Sequence, residues 1–388
     1  MKVFLSFVLL LFSMLNVFGQ VIKGSVVNDA SQRISGVSVY IDGTKIATSS
    51  SQDGSFQLDV LGQKNAILVF KKDDYESVSV KASDYFDKSL KVVLNKVSEI
   101  EEVVIIPYTE EAYRNYINYF LSAFIGENQN DVKIKNVRSL KFSYDKQKKF
   151  LQVKAPKTLI IENKKLGYEI QYNLINFSVD FNSKIQKFSG TSFFKETKNS
   201  GQTKINRMNA YNGSLMHFLR SLYLEKTREE AFEINKIIKI PNPKYPTKAE
   251  LEKLADFRKM IKQNNTIKLP EDVMDIAKRS KESQFVLALV ERDLADSKIL
   301  EISNGQKYLT FPDILQVKFS KYFYEKKGSG FVKSQLPISQ SSYMYVEGQS
   351  FEIYPDGNCS SPDDLLTDGD FGRNKIENLL PLDYKFGE

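Results

Sequence analysis

Short runs of alternating apolar and polar residues recur from Val21 to Ile106, and turn residues interrupt them about every ten positions. Successive side chains of a β-strand point to opposite faces of a sheet, so this alternation requires strands with one buried face. The pattern predicts an all-β Greek-key sandwich of seven strands over residues 20–106. The apolar positions that define these strands are Ile22 and Val26; Val37, Val39 and Ile41; Phe56, Leu58 and Val60; Ile67 to Phe70; Val78 and Val80; Leu90, Val92 and Leu94; and Val103 to Ile106.

Residues 107–388 mix helical and strand patterns and predict an α+β domain with several helices. Thr109 is followed by two glutamates, which is typical of a helix start because acidic groups favour the positive end of the helix dipole. Apolar residues at helical spacing continue to Phe124. A second helical pattern spans Ile205 to Leu224. Two capping boxes predict further helix starts, at Thr227 with Glu230 and at Thr247 with Glu250.

Four consecutive alternating runs between Leu140 and Phe181 predict an antiparallel meander sheet with one buried face. The alternation changes phase between Leu174 and Ile175, where we expect a β-bulge. The apolar run Phe285 to Val290 fits a strand or a buried helix, and periodicity does not decide between them.

The N-terminus has the pattern of a signal peptide. A basic start precedes an almost unbroken apolar run from Val3 to Val17, and Gly19 supplies the small residue that signal peptidase requires at its cut. The run holds about 15 residues, fewer than the roughly 20 that span a bilayer. We therefore expect a signal peptide over residues 1–19 and an exported chain that begins at Gln20. Because no cysteine follows the run, we expect no N-terminal lipid anchor.

Cysteine and histidine are almost absent, since the chain has one of each, Cys359 and His217. One cysteine cannot form an internal disulfide, and these two side chains cannot build a structural zinc site, which uses about four ligands. The content of hydrophobic residues (41%) and charged residues (27%) excludes a disordered chain and a multi-span membrane protein. We expect no zinc and no cofactor.

Positive charge is concentrated in residues 131–204, which contain 16 Lys and Arg against 6 Asp and Glu. A basic stretch can form a surface for nucleic acid or for anionic lipid. In an exported protein we expect no nucleic-acid partner, and the favoured interpretation is the solvated face of a sheet.

The N-terminal region also carries recognisable sequence strings. They are Gly24-Ser25-Val26-Val27, Ile34-Ser35-Gly36-Val37-Ser38-Val39, Gly43-Thr44, Asp53-Gly54-Ser55-Phe56, Tyr75 and Ile100-Glu101-Glu102-Val103-Val104-Ile105. Together they resemble the carboxypeptidase-regulatory-like domain, a prealbumin-like sandwich. The resemblance implies a protein of the Gram-negative bacterial envelope, where this domain often begins TonB-dependent receptors. The roughly 280 residues that follow are too few for a receptor's plug and barrel.

The resemblance implies an accessory sandwich rather than a peptidase. A zinc carboxypeptidase holds its metal with two histidines and a glutamate, whereas this chain has a single histidine.

Three sequence strings in the second region also resemble a family of proteins. They are Leu166-Gly167-Tyr168-Glu169-Ile170, Asn212-Gly213-Ser214-Leu215-Met216-His217-Phe218-Leu219-Arg220-Ser221-Leu222 and Leu380-Pro381-Leu382-Asp383-Tyr384. They resemble an uncharacterised family of Gram-negative envelope proteins that join the same sandwich to an α+β region. That resemblance implies architecture and compartment, because the family has no established activity.

Ser214 and His217 are the candidate catalytic pair. Three residues apart on a helix, they share a face and could bring a hydroxyl to an imidazole. A hydrolase also needs an acid to orient the imidazole, and the chain has no G-x-S-x-G elbow. The favoured interpretation is that Ser214 caps a helix and His217 is structural.

An acidic stretch suggests calcium ligands at Asp356, Asn358 and Asp363. It departs from the EF-hand pattern, because Ser361 stands where that loop requires glycine and Thr367 where it requires glutamate. Turns rich in Asp and Gly are also common without metal. Cys359 lies in the same stretch and has no second cysteine to resolve an oxidised thiol.

The sequence favours a non-enzymatic exported envelope protein, periplasmic or associated with the outer membrane, that binds or scaffolds through its sandwich and sheet surfaces. Its expected partner is another envelope protein, a glycan or the membrane surface. One alternative is an exported hydrolase that uses Ser214 and His217, and a second is an accessory component of an outer-membrane uptake system.

Overall fold

The computed structural model of the chain describes residues 20–60, 65–97, 106–263, 270–328, 330–362, 364–372 and 375–388. The predicted signal peptide and most of the predicted strand Val103 to Ile106 lie outside these ranges, so both stay predictions, as does the domain boundary at residue 106. Within the described ranges, no helix is both long and apolar enough to cross a lipid bilayer.

The N-terminal region is a β-sandwich of two sheets. One sheet has the order β4-β1-β7 and the other β3-β2-β5-β6. The strands are β1 (Val21–Val27), β2 (Ser38–Ile41), β3 (Ala47–Ser49), β4 (Ser55–Asp59), β5 (Ile67–Lys71), β6 (Val78–Lys81) and β7 (Leu90–Val93). Six predicted strands are confirmed, and their apolar faces form the core around Val39, Phe56 and Phe70. The alternation missed β3, a three-residue strand without a buried side chain.

A six-stranded sheet follows, and helix α1 (Glu110–Phe124) packs against it. Its strands are β8 (Val132–Ile134), β9 (Lys141–Asp145), β10 (Phe150–Lys154), β11 (Leu159–Asn163), β12 (Tyr168–Asp180) and β13 (Ile185–Glu196). The cap predicted for α1 is confirmed, because the Thr109 hydroxyl accepts the Ala112 N–H. The bulge is confirmed too, as a register shift between Leu174 and Asn176 that leaves Ile175 exposed.

The strand pairing in this sheet differs from the predicted meander. The predicted runs 166–174 and 175–181 form one strand, β12, and β11 was not predicted. β10 and β11 both pair with β12 and not with each other. The physical reason is length: β12 has 13 residues and β10 and β11 have 5 each, so the two short strands lie end to end along one edge of β12. β13 covers the other edge.

The remaining residues form two further sheets and four helices. The larger sheet has the order β15-β14-β18-β19-β21 and the smaller β16-β17-β20. The strands are β14 (Phe232–Pro241), β15 (Phe285–Glu291), β16 (Leu300–Ser303), β17 (Gln306–Thr310), β18 (Ile314–Lys327), β19 (Gly330–Tyr345), β20 (Ser350–Ile353) and β21 (Leu366–Gly369), and the helices are α2 (Gly201–Tyr211), α3 (Leu215–Tyr223), α4 (Lys248–Gln263) and α5 (Glu271–Arg279). The ambiguous run at Phe285 is therefore a strand. The described part of residues 107–388 contains several β-sheets and five α-helices. The predicted mixture of helices and strands is therefore confirmed.

The structure corrects the helix pattern from Ile205 to Leu224 and one of the two capping boxes. The pattern from Ile205 to Leu224 forms two helices, because Gly213 between them adopts a φ of 71°, which interrupts helical geometry. The box at Thr247 and Glu250 is confirmed by reciprocal hydrogen bonds. The box predicted at Thr227 is wrong: its hydroxyl donates to Asp296 instead, and no helix starts there.

The sandwich docks on the six-stranded sheet through its Asp42-Gly43 turn. The Ser192 N–H donates to Asp42 Oδ1 at 2.7 Å, and the Gly43 N–H donates to the Ser192 carbonyl at 2.7 Å. On the other side of the turn, the Leu382 N–H donates to the Gly43 carbonyl at 2.6 Å. A residue with a Cβ at position 43 would meet the Leu382 side chain at 2.8 Å. The turn thus joins the sandwich to both the sheet and the C-terminal segment.

Candidate functional site

Helix α3 and the C-terminal residues 375–388 are held together by Arg220. Its guanidinium donates to three backbone carbonyls: that of Asp356 at 2.9 Å, that of Tyr384 at 3.0 Å and that of Leu382 at 2.9 Å. Its Cζ lies 5.4 Å from the centre of the Tyr211 ring. A planar group with five donors suits this arrangement, and it positions α3 against the C-terminal segment.

Ser214 is the N-cap of α3. Its Oγ accepts the backbone N–H of His217 at 3.1 Å, and the side chain is buried. This is the geometry of a helix cap, so the capping interpretation is confirmed. In the part of the chain that the structure describes, no hydrogen bond joins Ser214 Oγ to the His217 ring.

The His217 imidazole is 3% exposed, and both its ring nitrogens have partners. Nδ1 accepts the Gly213 N–H at 3.2 Å, which places the ring proton on Nε2, 3.4 Å from Glu230 Oε2. The ring contacts Tyr211 and Phe232, with centroid distances of 4.6 and 4.9 Å. Burial lowers the pKa of His217 to about 4, although Glu230 opposes the shift. The imidazole is therefore neutral at pH 7, and its Nδ1 lone pair is occupied.

A polar cavity of about 290 Å³ lies beside Ser214. Its polar lining consists of the amides of Asn206, Asn209, Asn212, Gln340 and Asn378, together with Lys165, Ser214 and Asp370. Two buried atoms of its lining residues have no hydrogen-bond partner among the described residues, the donor Asn212 Nδ2 and the acceptor Gln340 Oε1. Buried polar atoms are almost always paired in folded proteins, so these two are the unusual feature of the region.

A larger groove of about 970 Å³ adjoins this cavity and shares Ala210, Ser214 and Asn378 with it. Its walls include residues 183–188, the first turns of α3, and residues 357–359, 365–369 and 378–380 of the C-terminal region. Its volume falls in the range of small-molecule sites. The groove and the cavity are therefore neighbours, separated by these shared residues.

The calcium candidates are not brought together in the described residues. Asp356 and Asn358 each turn a side-chain oxygen onto a backbone N–H of their own turn, that of Asn358 at 3.0 Å and that of Cys359 at 2.9 Å. Asp363 lies outside the described residues. Elsewhere in the described ranges, no three His, Cys, Asp or Glu side chains are grouped so as to hold a metal ion. The calcium interpretation stays a prediction.

Cys359 lies on the groove wall and is 4% exposed. Burial raises the pKa of its thiol to about 12. The thiolate is the reactive form of cysteine, so this side chain acts as a small apolar residue at neutral pH.

Strand β15 forms a second unusual surface at one edge of the five-stranded sheet. Its sequence from Phe285 to Val290 contains no charged or polar residue, yet Phe285 is 51% exposed, Leu287 43% and Val290 55%. Its ladder partner is β14. Among the described residues, no backbone hydrogen bond extends from the opposite edge of β15.

The cavity, the distant partners of Arg220 and the exposure of β15 were not predicted from the sequence. One signal could have indicated the cavity: Asn206, Asn209 and Asn212 stand three residues apart, a spacing that aligns amides on one face of a helix. The pairing of Arg220 with residues about 140 to 160 positions away has no local signal.

Comparison with known proteins identifies the first domain. Residues 22–105 match the family model of the CarboxypepD_reg-like domain. The sandwich is a CarboxypepD_reg-like domain. It is a β-sandwich, as the strand pattern predicted, and the match ends before the α+β region that carries the groove.

Two other comparisons say less about the whole chain. A solved structure from Bacteroides fragilis NCTC 9343, described as a "putative membrane-associated protein of unknown function", shares 10% identity and a TM-score of 0.15 with this chain, over 86% of this chain and 98% of that one. A TM-score this low is not evidence of a common fold. No curated protein matches the sequence significantly.

Proposed function

We propose that this protein is a non-enzymatic, exported envelope protein that binds another envelope protein through the edge of strand β15. The observation that carries the proposal is an edge strand whose six apolar residues, Phe285 to Val290, have no charge among them and are largely exposed. Natural edge strands are usually protected by lysine, proline or a covering element. An unprotected apolar edge is typical of a binding surface.

The chemistry of the edge favours a polypeptide as the occupant. An added strand pairs with the outward N–H and C=O groups of β15, while apolar side chains of the partner cover Leu287 and its neighbours. A lipid surface would bury those backbone groups without hydrogen-bond partners, which is costly. A glycan would supply hydroxyls but little apolar surface.

The predicted signal peptide and the CarboxypepD_reg-like domain support an exported location, periplasmic or at the outer membrane. We also propose that the sandwich has the Greek-key, prealbumin-like connection that the resemblance implies. The neutral His217, with both ring nitrogens engaged, supports a structural rather than a catalytic role.

Site-specific photo-crosslinking in intact cell envelopes tests the proposal. A photoreactive residue at Leu287 should give one discrete adduct with a different protein, and the same adduct should form from Val290. A matched control at Ile302, which is 59% exposed on β16 in the smaller sheet, should give none.

Leu287→Lys should abolish the adduct formed from Val290, because a charge blocks strand addition, whereas Ile302→Lys should leave it unchanged. An adduct with the mass of two copies of this chain would replace the proposal with self-association. Equal labelling at Leu287 and Ile302, or labelling of lipid alone, would refute it.

A further inference from the structure

The groove of about 970 Å³ has largely apolar walls. Leu215 and Met216 of α3 lie on one side of its lining, and Leu379 and Leu380 of the C-terminal segment also contribute to it. Leu215, Met216 and Leu379 are only partly buried by the protein's own cores. A concave apolar surface of this size favours a ligand with an apolar body, because binding removes both surfaces from water.

Lys375 also lines this groove, and its charge is unusual there. Its Nζ lies 5.8 Å from the centre of the Phe188 ring, which belongs to the same lining. Burial lowers the pKa of Lys375, and no neighbouring carboxylate opposes the shift. In the part of the chain that the structure describes, no acidic side chain forms an ion pair with this ammonium. A partly desolvated charge is stabilised chiefly by a counter-charge, so an anion from outside the chain would complete the site.

The charge balance of the lining has the same sign. Lys184 and Lys187 line the groove as well, and both come from the basic stretch of the sequence. Lys239 is neutralised by an ion pair with Glu347. The remaining acid in the described lining is Asp368, so four lysines stand against two acids. The groove therefore attracts negatively charged ligands.

The kind of basic residue narrows the class of anion. The described lining contains lysine but no arginine, and arginine is the residue that holds phosphate by two parallel hydrogen bonds. A lysine ammonium acts as a point charge. One ammonium beside an apolar wall therefore suits a head group with a single negative charge and an apolar chain attached to it.

We propose that this groove binds a fatty acid, with its carboxylate on the Lys375 ammonium and its chain along the apolar residues of α3 and the C-terminal segment. The volume of about 970 Å³ lies at the upper end of the range for small-molecule sites, which leaves room for an extended chain. The inference does not rest on the edge strand β15, so an absent Leu287 adduct leaves it standing.

Calorimetric titration of the full chain with dodecanoate, below the concentration at which micelles form, tests the proposal. Dodecanoate should bind. Acetate, which has the carboxylate without the chain, and dodecyl maltoside, which has the chain without the charge, should each bind at least tenfold more weakly.

Variants of Lys375 separate the role of its charge from an effect on folding. Lys375→Met keeps most of the apolar stem and should weaken dodecanoate binding at least tenfold, whereas Lys375→Arg keeps the charge and should retain binding. The matched control Lys91→Met, at an exposed lysine of the sandwich outside the groove, should bind as the unaltered protein does.

Acetylation of lysines, followed by mass spectrometry, gives a readout that needs no variant. Dodecanoate should slow acetylation of Lys375 and leave that of Lys91 unchanged. Four results would overturn the proposal: no binding of dodecanoate, binding that Lys375→Met leaves unchanged, equal binding of dodecyl maltoside, or no protection of Lys375. Binding of dodecyl phosphate without binding of dodecanoate would show that the head group is a phosphate and would overturn it too.

Discussion

Replacing Arg220 by methionine should release the C-terminal segment from α3. The guanidinium donates to the carbonyls of Asp356, Leu382 and Tyr384, and methionine fills a similar volume without a donor. The substitution therefore removes three hydrogen bonds, and the three carbonyl oxygens must then accept from water or remain unpaired.

The size of the effect follows from those three bonds. A hydrogen bond to a charged group contributes about 1.5 to 3 kcal/mol, and an unpaired buried acceptor costs about 1 to 3 kcal/mol. These terms overlap, and Arg220 is half-buried, so water relieves part of the loss. We expect a decrease of about 3 to 5 kcal/mol in the free energy of unfolding.

Urea denaturation measures this decrease as a shift of the midpoint. Hydrogen exchange at the Leu382 amide locates it, because that N–H donates to the Gly43 carbonyl of the sandwich and becomes exchangeable when the segment leaves. The matched control is Arg228→Met, since Arg228 is 57% exposed and pairs with Asp293 on the surface. Exposed pairs contribute at most about 1 kcal/mol.

The reasoning fails if the two variants behave alike. A loss under about 1 kcal/mol in Arg220→Met, with the Leu382 amide still protected, would show that apolar contacts of the segment hold it without Arg220.

Three further predictions concern groups whose environment the structure defines. Burial raises the pKa of Asp42 from its usual 3.8 to about 6, against the hydrogen bond it accepts from Ser192, so its contribution to the free energy of unfolding should be greatest below pH 3.8 and fall by about 3 kcal/mol as the pH rises through 6. Asp42→Asn should remove this dependence of the thermal midpoint on pH. Ser214→Ala should lower stability by about 0.5 to 2 kcal/mol through loss of the cap, and a serine-directed probe should not label the protein; labelling that His217→Ala abolishes at unchanged stability would contradict this. Phe56→Ala should lower the free energy of unfolding by about 3 to 5 kcal/mol, measured by urea denaturation, because the ring is buried against Phe70 with a centroid distance of 5.1 Å. A decrease under about 1 kcal/mol would show that the sandwich core relaxes to fill the space that the ring leaves.

Much of the local structure could be predicted because its causes lie within a few residues. Alternation predicted β4 and β12, since it reports which side chains face the core. The phase change at Ile175 predicted a bulge, and the caps at Thr109 and Ser214 followed from hydroxyls placed at helix starts. The same reasoning failed at Thr227, because a threonine-glutamate spacing does not exclude a stronger partner from a distant segment, here Asp296.

The candidate site could be predicted only in part. Ser214 and His217 were singled out, and the structure places Ser214 on the cavity wall and buries His217 in the same helix. Their catalytic pairing required a contact between side chains, and sequence spacing says only that two residues share a helix face. Gln340 comes from β19, more than a hundred residues away, so nothing in the sequence near Asn212 indicates it.

The sequence by itself determined six of the sandwich strands, the helix starts at Thr109, Ser214 and Thr247, the bulge and the near absence of metal-binding residues. These depend on side-chain periodicity and on hydrogen bonds within one turn. Only the tertiary structure decided that β10 and β11 share one edge of β12, that Arg220 holds the C-terminal segment, and that β15 remains exposed. Periodicity reports that a face is apolar but not what lies against it, and contacts between distant segments depend on how the whole chain packs.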